Sequence, residues 1–183
     1  MAREEYAIIL DFLPHGYPMD KRPLHLKTAI AHGIGKDTLV LFELIPKKGV
    51  FLQPHEDVYI GEGKRDKIHH ISSRITPSKL TETAKSELNY IIEEIVKNRE
   101  KQFVDFFNKA GPLSTRMHQL ELLPGIGKRH MAALLEARDE KLFESFQDIK
   151  NRVKLLPDPE KAVMRRILLE LEGNEKHFLF VRL

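Results

Sequence analysis

The stretch LELLPGIGKRHMAALLEAR, residues 120–138, decides how the rest of the chain is read. Two glycines bracket one isoleucine, a proline stands before them, and Lys128, Arg129 and His130 follow. Pro124 and the glycines stop one helix, and the apolar periodicity after them starts another. Glycines are needed where the backbone takes positive φ or where something comes close to it. The first amides of a helix have no intrahelical partner, and they lie at the positive end of the helix dipole. The amides of residues 126–129 therefore predict an anion site made of backbone, with Lys128 and Arg129 adding charge. Such a site suits one phosphate of a nucleic-acid strand and reads no base.

Sliding the chain against itself by 33 positions lays LLPGIGKRHMAALL (122–135) over LLPDPEKAVMRRIL (155–168). In the second copy Asp158 and Glu160 replace both glycines. One reading is a duplicated helix–hairpin–helix unit with one live turn and one structural turn, since acids there would repel a phosphate. The other is chance likeness between two amphipathic helices.

Upstream, the first 76 residues read as strands: 6–13, 24–31, 38–45, 57–61 and 67–75, separated by Pro14–Gly16, Gly33–Asp37, Lys48–Gly49 and Gly61–Gly63. Five short strands suit a small OB-like barrel, or an open sheet of the same strands. HGIGKD (32–37) lacks the spacing of a phosphate loop and reads as a β-turn. From Thr81, a plausible N-cap, the period becomes helical. A Phe103, Phe106 and Phe107 cluster reads as core, and Gly111-Pro112 ends that run, with Gly111 in the left-handed position. Helices are expected over 114–122, 128–138, 145–153 and from Asp158 to Gly173, with a strand over 177–183.

The fold class is thus α+β. An OB-like barrel spans 1–76, connecting helices 77–111, and a helix–hairpin–helix region with a degenerate second copy 112–175. A C-terminal strand or tail spans 176–183.

The chain has 183 residues, enough for one large domain or two small ones, and a 42% hydrophobic fraction that can form a core. It has no cysteine, which excludes disulfides, thiolate metal sites and a cysteine nucleophile. No signal peptide or membrane span is evident, so a cytoplasmic protein that does not bind membranes is expected. High Lys and Glu without Cys or Trp leans toward a thermophile. The net charge is only +3. Within 64–79, however, Lys64, Arg65, Lys67, Arg74 and Lys79 face a single acid, Asp66. This stripe, with His69, either faces phosphates or is an ordinary solvated strand face.

Residues 114–153, through the downstream FESFQDI, resemble the helix–hairpin–helix motif of nucleic-acid-binding proteins. VYIGEGKRDKIHHISSRI, LTETAKSELNYIIEEIV, FVDFFNKAGPLSTRMHQLELLPGIGK and FESFQDIKNRV resemble blocks of the archaeal domain of unknown function 655 family, over nearly the full chain. That resemblance implies an OB-like barrel followed by a helix–hairpin–helix region. It also implies nucleic-acid binding, with a lean to RNA and to translation or transcription machinery as partners. It supplies no known activity.

A glycosylase of the helix–hairpin–helix type would need a lysine where Arg129 stands, and an arginine forms no Schiff base. Its aspartate would fall near Asp148, which already suits a helix cap. Adjacent His69 and His70 should point to opposite faces of a strand and not chelate one ion. His118 and His130 flank the hairpin as candidate phosphate contacts or as packing groups. The expected protein is non-enzymatic and has neither metal nor cofactor. It binds nucleic acid, RNA before DNA, through Gly125, Ile126, Gly127, Lys128 and Arg129, and through Lys64, Arg65, Lys67, His69 and Arg74. The rivals are a duplex-DNA accessory of repair or replication and a protein-interaction module.

Overall fold

Strand β1, Tyr6–Leu13, opens the chain in a computed structural model that describes residues 3–183. A bulge between Ile9 and Asp11 lets neighbouring Ile9 and Leu10 both bury. β1 pairs antiparallel with β2, Ile30–Gly35, in a register that sets Leu13 opposite Ile30. β3 (Leu41–Pro46), β4 (Asp57–Tyr59) and β5 (Ile68–Arg74) complete one five-stranded antiparallel sheet of order β4-β1-β2-β3-β5. Among the described residues no ladder joins β4 to β5, so the sheet is a curled half-barrel and not a closed barrel.

Helices follow: α1, Glu82–Asn98; α2, Glu100–Lys109; α3, Lys128–Glu140; α4, Phe146–Arg152; and α5, Pro159–Leu171. The Thr81 hydroxyl caps α1 by accepting from the Ala84 N–H at 3.0 Å. Ser145 caps α4 by accepting from the Asp148 N–H. Phe103 and Phe107 are core, as their spacing predicts. Two units emerge: Met1–Ile91 with Glu170–Leu183, and Ile92–Leu169.

Several expected elements differ. Of the strand expected over 24–31, only Ile30 and Ala31 are extended, as the start of β2: β1 ends against Ile30, and Pro14 can donate nothing beyond it. Leu24–Leu26 forms a 3-10 turn in the 14–29 loop instead, with Leu24 and Leu26 exposed. Gly33 and Gly35 lie inside β2, so the turn read in HGIGKD shifts to Lys36–Thr38. Its Asp37 and Thr38 N–H groups donate to the Glu4 carboxylate. Residues 114–118 are not helical, and only a 3-10 turn, Gln119–Leu122, precedes the hairpin. Pro112 and His118 form a β-bridge there, which holds the segment extended. Gly111 does not take the left-handed position; α2 ends because Ala110 is already extended.

No strand forms over 177–183 either. The tail is held by Glu170, whose carboxylate, 1% exposed, accepts from the N–H groups of Leu179, Phe180 and Val181 at 2.6–3.0 Å. Arg182 donates its N–H to the Thr38 carbonyl.

Candidate nucleic-acid interface

The hairpin begins as a tight turn. The Ile126 N–H donates to the Leu123 carbonyl at 3.1 Å across Pro124 and Gly125. Gly125 takes φ +83°, the position of this turn that favours glycine. A Cβ there would lie 3.2 Å from the Pro157 ring. Gly127 differs. It is the N-cap of α3 in an extended conformation, φ −100° and ψ −169°, and a Cβ on it would meet open space. No turn geometry requires glycine at 127.

The Ile126 amide is spent inside the turn, so the bare set is smaller than the sequence suggested. Among the described residues, the N–H groups of Gly127, Lys128 and Arg129 meet no protein acceptor. They open α3, a helix of 13 residues. Ile126 anchors the turn in the core, and Arg129 is exposed. Lys128 reaches back instead: its Nζ donates to the Arg116 carbonyl at 3.0 Å and lies 3.2 Å from Glu121. His118 is buried, accepts from the Leu120 N–H and forms a capping box with Glu121. His130 Nε2 donates to the Leu155 carbonyl at 3.1 Å. Both histidines therefore serve the fold.

The second turn provides an internal comparison. Asp158 Oδ1 accepts from the N–H groups of Glu160 and Lys161 at 3.0 and 3.3 Å. Its other oxygen lies 3.2 Å from Lys150. Burial pushes the Asp158 carboxyl upward, but these bonds and the Lys150 charge outweigh it and hold it below its ordinary range. In the 33-residue alignment Glu160 and Lys161 correspond to Gly127 and Lys128. α5 starts two residues earlier in this alignment than α3, so the pairing is one of sequence position: the aligned amides meet a built-in carboxylate in one copy and are bare in the other.

The basic stripe does not form one strand face. Lys64 and Arg65 lie in the loop before β5. Arg65 Nε donates to the Gly61 carbonyl, and Lys67 is ion-paired with Glu56. Bulges interrupt β5 opposite Glu43–Leu44 and Ile45–Pro46. Arg74 ends the strand and lines an apolar cavity of about 150 Å³ with Val40, Ile75 and Val181. Lys64 is exposed in its loop. The second bulge also overturns the expected divergence of His69 and His70, because the extra residue breaks the alternation. Both rings are exposed, with Nδ1 atoms 2.7 Å apart.

Asp148 is engaged as a structural group: Oδ2 accepts from the Glu144 N–H and pairs with Arg152. Among the described residues no group of three or more His, Cys, Asp or Glu is placed to hold a metal ion. No helix among them is long and apolar enough to cross a membrane.

One polar cluster gave no sequence signal. His32, on β2 and fully buried, sits between Asp11 and Glu43 on the flanking strands. Tyr17 donates to Glu43 and lies 3.0 Å from His32 Nε2, and Ser72 donates to the other Glu43 oxygen. Burial lowers the His32 pKa, against the pull of the Glu43 and Asp11 charges. Burial also raises the Tyr17 hydroxyl far above its usual range. These residues clamp the 14–29 loop to the sheet.

A family model described as a protein of unknown function (DUF655) matches residues 3–182. The chain belongs to the DUF655 family. An uncharacterized protein of Methanocaldococcus jannaschii is 45% identical over 181 residues, which cover 98% of this chain and 80% of that one. A crystal structure from Archaeoglobus fulgidus, titled as a DUF655 family model, is 46% identical. It superposes with a TM-score of 0.88 over 98% of this chain and all of that one.

Proposed function

We propose that this DUF655 protein is a non-enzymatic nucleic-acid-binding protein that holds a backbone phosphate at the Gly125–Arg129 turn, with RNA its preferred ligand. The turn acts as the live half of a duplicated helix–hairpin–helix unit. The observation that carries the reading is the contrast between the copies. Asp158 fills the amides of Glu160 and Lys161 with the chain's own anion. At the start of α3 the sequence-aligned amides of Gly127 and Lys128, and that of exposed Arg129, are left open. A phosphate oxygen makes the same charge-assisted bonds as a carboxylate. The half-barrel, read as OB-like, adds Lys64 and Arg74 as secondary cations. Lys67 contributes less, since Glu56 already neutralises it. Ribosomal RNA or tRNA, met within translation or transcription machinery, fits a contact that grips backbone without reading sequence.

The test is fluorescence anisotropy with structured RNA, single-stranded RNA and duplex DNA, titrated across salt. Tighter, salt-dependent binding to RNA is expected. Replacing Lys128 and Arg129 together by alanine should reduce the salt slope by about 1–2 units. A preference for duplex DNA would reassign the turn to a repair or replication accessory. No binding at low salt would refute the proposal.

A further inference from the structure

Leu155 combines near-full exposure with an unusual backbone. It is 96% exposed, and its backbone sits in the left-handed region at φ +63°. Single exposed leucines are ordinary on protein surfaces. A leucine held in a conformation that favours glycine or asparagine is not, because its Cβ crowds the following carbonyl. Such strain persists only where the surroundings impose it. Here they do: the Leu155 carbonyl accepts from His130 Nε2, on the helix that opens with the bare amides. Two residues on, Pro157 packs against Gly125. The strained residue is thus tied from both sides to the phosphate-binding turn, and Lys154 beside it is exposed.

Glycine at 155 would remove the strain and the exposed apolar surface together. An apolar side chain fixed outward next to a phosphate grip matches the wedges that proteins insert between bases. Resting on the reading above, we propose that Leu155 enters a base step of the strand whose phosphate is held at Gly127–Arg129, unstacking it. The ligand it favours follows from cost. An uninterrupted duplex resists opening, whereas bulges and loops present bases already splayed. The second turn, which cannot hold a phosphate because Asp158 occupies its amides, thereby acquires a separate role: it carries the wedge.

The experiment uses the full chain and two RNA hairpins, one fully paired and one with a bulge carrying 2-aminopurine. Affinity, 2-aminopurine fluorescence and Tm are read for the wild type, Leu155→Gly, Leu155→Asn and the Lys128→Ala/Arg129→Ala pair. Both Leu155 variants relieve strain, so each should keep or raise Tm, by up to about 4 °C. Each should bind bulged RNA about ten-fold more weakly and lose the fluorescence rise seen with the wild type. Binding to paired RNA should change little. A merely structural Leu155 would move Tm without moving fluorescence. Wild-type affinity and fluorescence in folded Leu155 variants, with weakened binding in the charge pair, would overturn the wedge and leave the phosphate site standing. Equal losses on both RNAs would also overturn it. Absence of wild-type binding to either RNA would overturn both.

Discussion

Replacing Gly127 by aspartate should make the protein more stable and worse at binding. Gly127 is the N-cap of α3 and supplies no side-chain acceptor to the amides it faces. Its φ and ψ are those of an ordinary N-cap residue, and a Cβ there meets nothing within 4 Å. Aspartate caps better than glycine by a few tenths of a kcal/mol, and its charge gains roughly 0.3–1 kcal/mol at the helix N-terminus. Together these amount to about 0.5–1 kcal/mol, or a Tm rise of about 1–4 °C for a chain of this length. The same carboxylate occupies the amides and repels a phosphate. At about 4 Å the repulsion is roughly 1 kcal/mol in bulk water and about 4 kcal/mol near a low-dielectric surface. The turn is exposed, so about 1–2 kcal/mol applies, a 5- to 30-fold loss of affinity. Gly127→Ser caps without charge and should gain stability with a smaller loss of binding. Thermal melts and anisotropy on the same preparations decide the matter. A folded Gly127→Asp protein that binds RNA within two-fold of the wild type would refute the phosphate role of these amides.

The neighbouring glycine should behave oppositely. Gly125→Ala places a Cβ at positive φ and 3.2 Å from the Pro157 ring, so it should cost about 1–2 kcal/mol, seen as a Tm loss of about 2–8 °C, while Gly127→Ala leaves Tm nearly unchanged. Glu170→Gln removes a charged acceptor from three tail amides, so hydrogen exchange at Leu179, Phe180 and Val181 should accelerate at least ten-fold; unchanged protection would show that other contacts dock the tail. Stability should also fall with acid. Burial lowers the folded pKa of His32 and, with the Arg138 charge, that of His118, so their contribution is complete above the ordinary histidine value near 6.5 and is lost as pH falls below it. Melts from pH 7.5 to 5.0 should show this decline, shallower in His32→Gln; equal slopes would remove His32 from the account.

How much was legible follows what each signal depends on. Three helix ends with a local cause read correctly, namely Thr81 capping α1, Ser145 capping α4 and Gly173 at φ +81° after α5, whereas Gly111 after α2 is not left-handed. Strand limits depend on the partner strand, which a sequence does not display. Leu24 and Leu26 alternate like a strand, but β1 has already ended opposite Ile30. Bulges are similarly hidden, and one of them turned His69 and His70 from opposed to adjacent. At the hairpin the glycine pair was visible, yet the reason for each member was not. Gly125 answers to backbone conformation and to Pro157, Gly127 to neither. Leu155 gave no signal, because φ is a property of the folded turn.

Two positions near the hairpin decline a stabilising residue that the local backbone would accept. At 127 an N-cap with open space carries no capping side chain; at 155 a left-handed residue carries leucine where glycine would relax it. Elsewhere in the same unit several helix ends are satisfied: His118, Ser145 and Asp158 cap, and Arg138 closes the end of α2 by donating to the Phe107 and Ala110 carbonyls. Although α2 also opens without a capping side chain, at Arg99, a unit that caps with His118, Ser145 and Asp158 does not lack the means to cap one more helix. Leu39 and His55 are also left-handed, both in the other unit, and Leu39 is buried. What marks 127 and 155 is that two local rules are broken side by side around one exposed turn, which fits a surface kept for a ligand, since the stability forgone is recovered only when something binds. A turn serving only to pack one helix on another would gain from an acid at 127 and a glycine at 155, and would lose nothing by them.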